Sequence, residues 1–212
     1  SGETADSLAA LRLAKERGAY TLGIVNAVAS SIAREADDVI YTRAGPEIAV
    51  ASTKAFTVQA AVMCLIAASI AVSCGAVSEP EIKNFTASLS SGLPSVISSV
   101  TSQSDRIKEI AARIASSENA FFIGRGIDRY AAEEGSLKLK EISYIHSEAY
   151  PAGELKHGTL SLISDGVPVI ASASLPSLYG KTKASLSEVK ARGALTILVT
   201  AEDTAADGDA DF

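Results

Sequence analysis

Five short apolar runs, at residues 20–25, 39–42, 120–123, 167–171 and 196–200, each stand beside a stretch with helical spacing. Apolar character that is continuous and not alternating marks strands covered on both faces, and strands that alternate with helices belong to parallel sheets whose crossovers are those helices. The chain therefore reads as α/β. In its first block a helix over residues 4–17 carries Leu8, Leu11 and Leu13, closes on Gly18 and leads into the run at Tyr20, and a short helix at 30–36 precedes the next run. In its last block a helix from Tyr130 follows the run at 120–123, and a helix at 181–192 separates the final two runs. A helical middle lies between: residues 52–74, a polar break at 78–80, residues 81–100 interrupted by Gly92 and Pro94, and residues 105–116 with Ile107, Ile110 and Ile114 on one side. The Asp- and Ala-rich stretch 201–212 reads as a tail. Parallel sheets commonly hold about four to six strands, so two blocks of two or three strands are each expected to be incomplete, and Ser1-Gly2-Glu3-Thr4 reads as the turn after an upstream strand.

Residues 55–77 carry no charge, and about 20 apolar residues suffice to cross a bilayer. The stretch reads instead as a fully buried helix, at a subunit interface or in a core. Thr57, Gln59, Ser69 and Ser73 interrupt it, and no basic flank follows to match Lys54. Its two cysteines, Cys64 and Cys74, are ten residues apart, about 15 Å along a helix, well beyond the roughly 7 Å a disulfide spans. Buried reduced thiols fit the cytosol, and the polar, acidic residues 1–6 are no secretory signal. A net charge of −6 with scattered Lys and Arg excludes binding to a phosphodiester backbone.

The chemistry-bearing residues concentrate between Tyr130 and Gly158. Glu134, Lys138 and Glu141, at i, i+4 and i+7, lie within about 60° of one another on a helix. Two readings stand: a solvated stripe of ion pairs, or a carboxylate and an amine at a partly buried wall, shifting each other's pKa toward proton-transfer values. Leu137 and Ile145 on or beside the stripe make part of that face apolar, which counts against the first, yet spacing alone leaves the solvated stripe the more common arrangement. His157 lies in a glycine-flanked loop, free to approach a ligand and able to titrate near neutrality, or else exposed without a role. His146 reads as the end of the helix, capping its last carbonyls. Two histidines and two core cysteines form no recognisable metal-ligand set. In the first block, Ser1 and Thr4 offer hydroxyls at a helix start that suits a phosphate, or simply cap it. Ser52 is the N-cap of the charge-free helix, or, with Val50, borders a pocket just before it.

The motifs together point further. Ser1-Gly2-Glu3-Thr4-Ala5-Asp6, the run from Ala44 through Pro46, Glu47 and Val50 to Lys54, Gly124-Arg125-Gly126, the run from Leu137 through Lys138 and Glu141 to His146, and Ala152-Gly153-Glu154-Leu155-Lys156-His157-Gly158 resemble the isomerase part of the glutamine–fructose-6-phosphate aminotransferase family. That resemblance implies two sugar isomerase (SIS) domains, each a flavodoxin-like αβα sandwich around a parallel sheet and both incomplete here: residues 1–78 as the later part of the first, 79–112 as connecting helices, 113–212 as the earlier part of the second. It implies that Ser1 and Thr4 hold the phosphate of fructose 6-phosphate, that Val50 and Ser52 line the sugar, and that Glu141 moves a proton between C1 and C2 with Lys138 as its partner. It further implies that Glu134 assists at the open-chain sugar and that His157 opens the ring, reaching into the neighbouring subunit of a homodimer. Ammonia from an N-terminal glutaminase domain would aminate the ketose, giving glucosamine 6-phosphate in the cytoplasm without a cofactor. The family's tail lysine, which forms a Schiff base with the sugar, and the upstream serine and glutamine of its phosphate loop have no counterpart in these residues, so the segment is expected to be inactive alone. Two other readings of the same motifs are a related SIS amino-sugar-phosphate deaminase or deglycase, and a non-catalytic sugar-phosphate sensor, which has no use for a proton-transfer set.

Overall fold

A computed structural model describes residues 2–201, 204–205 and 208–212. The chain divides into two compact units, Ser1–Thr101 and Ser102–Phe212. The first contains α1 (Ala5–Glu16), β1 (Leu22–Val25), α2 (Ser31–Glu35), β2 (Asp38–Tyr41), α3 (Thr53–Ser73), α4 (Glu79–Ala87) and most of α5 (Leu93–Ser102). Strands β1 and β2 are parallel, with Leu22 opposite Asp38 and Val25 opposite Tyr41.

A side-chain clasp sets this register. Thr21, just before β1, donates from its backbone N–H and its hydroxyl to Asp37 Oδ2, at 2.9 and 2.7 Å. The Asp37 N–H returns to the Thr21 hydroxyl at 3.1 Å, and the backbone N–H of Asp38, the first residue of β2, reaches Thr21 O. Lys15 Nζ lies 2.9 Å from Asp37 Oδ1. Hydrogen bonds from Lys15 first, and then from Thr21, pull the Asp37 carboxyl down to about 2.

The second unit contains α6 (Ser104–Ile114), β3 (Asn119–Gly124), α7 (Asp128–Ser143), β4 (His146–Pro151), β5 (Pro168–Ala173), α8 (Pro176–Lys190) and β6 (Leu195–Thr200). Its sheet is parallel throughout, in the order β4-β3-β5-β6. Side-chain alternation along β3 separates two layers. Phe121 and Ile123 join Leu186 and Val189 of α8, with Val169, Ala171 and Leu155, in the main core. Phe122 points the other way, against Gly135 of α7, where an added Cβ would sit 3.0 Å from the ring. Ile123, Leu155 and Leu186 are fully buried, each worth about 1.5–3 kcal/mol relative to exposure.

The clasp recurs here. Thr196 donates from N–H and hydroxyl to Asp211 Oδ2, at 2.8 and 2.7 Å, the Asp211 N–H returns to the Thr196 hydroxyl at 3.1 Å, and Lys190 Nζ lies 3.0 Å from Asp211 Oδ1. Residues 15–21 and 190–196 share the pattern Lys-x-Arg-Gly-Ala-x-Thr, an internal repeat that hydropathy does not disclose because its fixed positions are mostly polar. The stretch that reads as a tail is therefore partly sheet-bound: Asp211 and Phe212 donate to Thr196 O, and Phe212 O accepts from Leu198.

Several expectations are corrected. The loop after α7 is strand β4, so this sheet has four strands, and His146 opens that strand instead of capping a helix. Its Nδ1 lies 3.0 Å from Asn119 Oδ1. Ile145 is buried beyond the end of α7 and is not on its stripe. Gly92 and Pro94 do not break the middle helix. A π turn over Ser88–Gly92 joins α4 to α5, with the Leu93 N–H reaching Ser88 O, which absorbs the proline's missing donor by widening one turn. Helix α3 is not buried: only 6% of its most apolar window is covered, and Cys64 on it and Cys74 at its C-cap are free and exposed. An all-round apolar helix needs neighbours on every side, and α4 is its main one among the described residues.

A carboxyl whose folded pKa is depressed stabilises the fold above its ordinary value, and that contribution disappears as pH falls through the folded value. The Asp37 carboxyl carbon is therefore expected to titrate by NMR near 2 instead of near 3.8, with Lys15→Met moving the midpoint upward. An unshifted midpoint in that variant would remove Lys15 as the main cause.

Candidate functional site

Helix α7 has two unlike sides. Ala132 and Ser136 are buried, and small residues there let the helix lie close on the sheet. Ser136 Oγ and Ser147 Oγ of β4 are 2.9 Å apart, and the Ser147 hydroxyl also reaches Ser136 O at 2.8 Å. Each such buried bond contributes about 1 kcal/mol net, and together they fix the rotation of α7 against β4. By helical periodicity that rotation turns Glu134, Lys138 and Glu141 to the flank away from the sheet.

On that flank Lys138 Nζ lies 2.8 Å from Glu141 Oε2 and 3.6 Å from Glu134 Oε1. All three side chains are only 20–33% exposed, so this is no fully solvated stripe of surface pairs. The hydrogen bond to Glu141, followed by the Coulombic attraction of both carboxylates, raises the Lys138 pKa against the opposing effect of desolvation. The shift runs away from neutrality, opposite to the expectation of an amine tuned for proton exchange. Lys138 is accordingly a fixed ammonium, suited to steadying negative charge that develops beside it. Glu141 lies within hydrogen-bond reach of that cation.

His157 ends a 3₁₀ turn, Leu155–His157, beyond β4. Leu155 is fully buried and anchors the turn, while His157 is exposed. Gly158, with φ of 141°, takes the chain out of the turn through a conformation that L side chains rarely adopt.

In the first unit, Ser1 lies outside the described residues. Thr4 is the N-cap of α1 by backbone geometry, yet its hydroxyl makes no capping bond, so it is available to a ligand at the helix start. Two residues that sequence reasoning passed over hold this loop. Gly2 has φ of +101° and packs so closely on α2 that an added Cβ would fall 2.3 Å from Ser30 Oγ. Glu3 accepts the Ser31 N–H at 2.9 Å, and hydrogen bonding to Ser31 lowers its pKa. The only sequence hint of either was a glycine and an acid beside a helix start, because Ser30 and Ser31 are nearly thirty residues away. Ser52 occupies the N-cap position of α3 but turns its hydroxyl to Glu47 Oε2, at 2.6 Å, and Val50 beside it is 90% exposed. Among the described residues no group of His, Cys, Asp and Glu has the arrangement of a metal site.

A profile of the SIS domain matches residues 1–69 and 113–210. The chain belongs to the SIS domain family. The first match extends into α3, so that helix is an element of the shared domain. Over 197 residues the chain is 49% identical to the glutamine–fructose-6-phosphate aminotransferase [isomerizing] of Caldanaerobacter subterraneus subsp. tengcongensis, an alignment covering 93% of this chain and 32% of that protein. The chain thus spans about a third of the length of such relatives. The C-terminal domain of glucosamine-fructose-6-phosphate aminotransferase from Francisella tularensis superposes with a TM-score of 0.92 at 40% identity, over 96% of this chain and 57% of that structure. Glucosamine-6-phosphate deaminase from Thermotoga maritima, at 23% identity and a TM-score of 0.66 over 95% of this chain and 58% of that one, shares the fold.

Since Glu141 is the largest contributor to the raised Lys138 pKa, Glu141→Gln is expected to lower that pKa, read from the lysine Cε and Nζ resonances. An unchanged Lys138 titration would disconnect the pair.

Proposed function

We propose that this SIS chain provides the isomerase machinery of a glutamine–fructose-6-phosphate aminotransferase, converting fructose 6-phosphate and glutamine-derived ammonia into glucosamine 6-phosphate. The observation that carries the reading is the Glu134–Lys138–Glu141 cluster, in a chain 49% identical to a relative of that name. Its domains follow the division into residues 1–78, 79–112 and 113–212.

In this reading the Thr4 hydroxyl and the amides opening α1, together with Ser1, take the phosphate, and Val50 and Ser52 border the sugar. His157 opens the ring by transferring a proton between the anomeric hydroxyl and the ring oxygen, a task for a group that titrates near neutrality. After amination at C2, Glu141 takes a proton from C1 and returns one to C2, while the Lys138 ammonium steadies the electron-rich intermediate. Glu134 keeps Lys138 oriented and assists at the open-chain sugar. No step requires a metal or an organic cofactor. The partners are a glutaminase domain of the full-length protein and a second subunit, to whose site His157 is delivered. Free thiols at Cys64 and Cys74 suit a reducing cytoplasmic setting. The deaminase reading has weaker support, since similarity to such an enzyme at 23% identity extends to the fold alone.

In the full-length protein, Glu141→Gln is expected to lower kcat for isomerisation by about 10²–10⁴-fold while leaving the Kd for sugar phosphate within about threefold. Normal turnover would remove Glu141 from the mechanism. His157→Ala is expected to slow turnover of the cyclic sugar about 10²-fold and spare an open-chain analogue. Mixed His157→Ala and Glu141→Gln subunits should then regain activity that neither variant has alone. Equal losses on both substrates would refute ring opening, and no recovery on mixing would refute sharing between subunits.

A further inference from the structure

The second unit carries another feature, separate from the Glu134–Lys138–Glu141 flank. The turns leaving β3 and β4 and the first turns of α8 enclose a cleft of about 290 Å³. Arg125, Arg129 and Lys181 line it together with one carboxylate, Glu154. It lies at the carboxyl ends of the strands in a sheet ordered β4-β3-β5-β6, where the connection from β3 runs to one neighbour and the chain then returns to the other. Open parallel sheets bind ligands at that end, beside that reversal.

The reversal point itself is closed. The Asp128 carboxylate accepts the Ser174 N–H at 3.0 Å and the Ser174 hydroxyl at 2.5 Å, so the donors between β3 and β5 already have an internal anion. The neighbouring basic groups are less well supplied. Of the Arg125 guanidinium's donors, Nη2 reaches Ser185 Oγ at 3.1 Å, while Nε is buried without an acceptor among the described residues. Lys181, exposed at the rim, has no acidic partner among them either, in contrast to Lys156, Lys183 and Lys190. Arg129 pairs with Glu133 at 2.7 Å. The cleft therefore holds more positive charge than its single carboxylate balances. Its floor is glycine: a Cβ at Gly153 would come within 3.1 Å of Arg125 Nη1, so the bare backbone there leaves the guanidinium its place and a ligand a close approach.

We propose that this cleft binds a phosphate group, with Arg125 and Lys181 as its principal donors and Arg129 as a third cation. Guanidinium and ammonium groups under-supplied with acceptors around a glycine-lined recess match a tetrahedral dianion better than an apolar or cationic ligand. The bearer of the group is either inorganic phosphate or a phosphorylated small molecule.

Equilibrium dialysis of the full chain with labelled inorganic phosphate, at fixed ionic strength in chloride, tests the assignment. Lys181→Gln and Arg129→Gln are each expected to weaken one class of phosphate site about tenfold, the usual scale for loss of a charge-assisted hydrogen bond, and Thr4→Ala is expected to leave that class intact. Both substituted side chains are exposed, so folding is spared, as circular dichroism will register. Tighter binding of a sugar phosphate than of phosphate at this class identifies a phosphorylated metabolite, and equal binding identifies the free ion. Isotherms unchanged by Lys181→Gln and Arg129→Gln, or binding lost only with Thr4→Ala, overturn the proposal. The second of these results leaves the isomerase reading standing.

Discussion

Parallel strands do not follow one another directly in the chain, so every pairing here is made between segments separated by a crossover, and something has to hold the register where those segments meet. In the first unit a side-chain clasp does so: Thr21 before β1 and Asp37 before β2 exchange hydrogen bonds, and Lys15 from the preceding helix closes over the carboxylate. This clasp thereby ties helix end, strand start and crossover return together. In the second unit the same three residue types, Lys190, Thr196 and Asp211, fasten the C-terminal residues to β6. A one-residue slip would turn every side chain of a strand to the opposite face.

Helix α7 shows how position becomes chemistry. Its small buried side and the Ser136–Ser147 bonds fix its rotation, and that rotation puts the charged triplet on the far flank. There Lys138 stands between two carboxylates, and the hydrogen bond to Glu141 raises its pKa. Asp128 at the start of the same helix seals the β3–β5 reversal with its own carboxylate, and the basic groups Arg125 and Lys181 line the cleft beside it.

Strand β4 was illegible for a physical reason. His146, Glu148 and Pro151 give it neither the continuous apolar character of a central strand nor an open loop's composition, because it lies at the sheet edge, where a polar face and a terminal proline are tolerated. The central strands β3 and β5 were legible because burial on both faces demands apolar runs, and the helices were legible by the spacing of their apolar residues. Helix α3 misled in the opposite direction. Its composition specifies burial, yet burial is a property of neighbours, and the described residues cover little of it.

By itself, the order of apolar runs and helical stretches determined the α/β class, and the spacing of Glu134, Lys138 and Glu141 determined that they share one helical face. Both follow from periodicities of the backbone, which are local. The depth of that face, the direction of the Lys138 shift, the anchoring of Gly2 and Glu3 on α2, the two Thr–Asp–Lys clasps and the basic cleft were decided only by the tertiary structure. Each joins groups distant along the chain, and the energy of a charge or a hydrogen bond depends on what surrounds it in space.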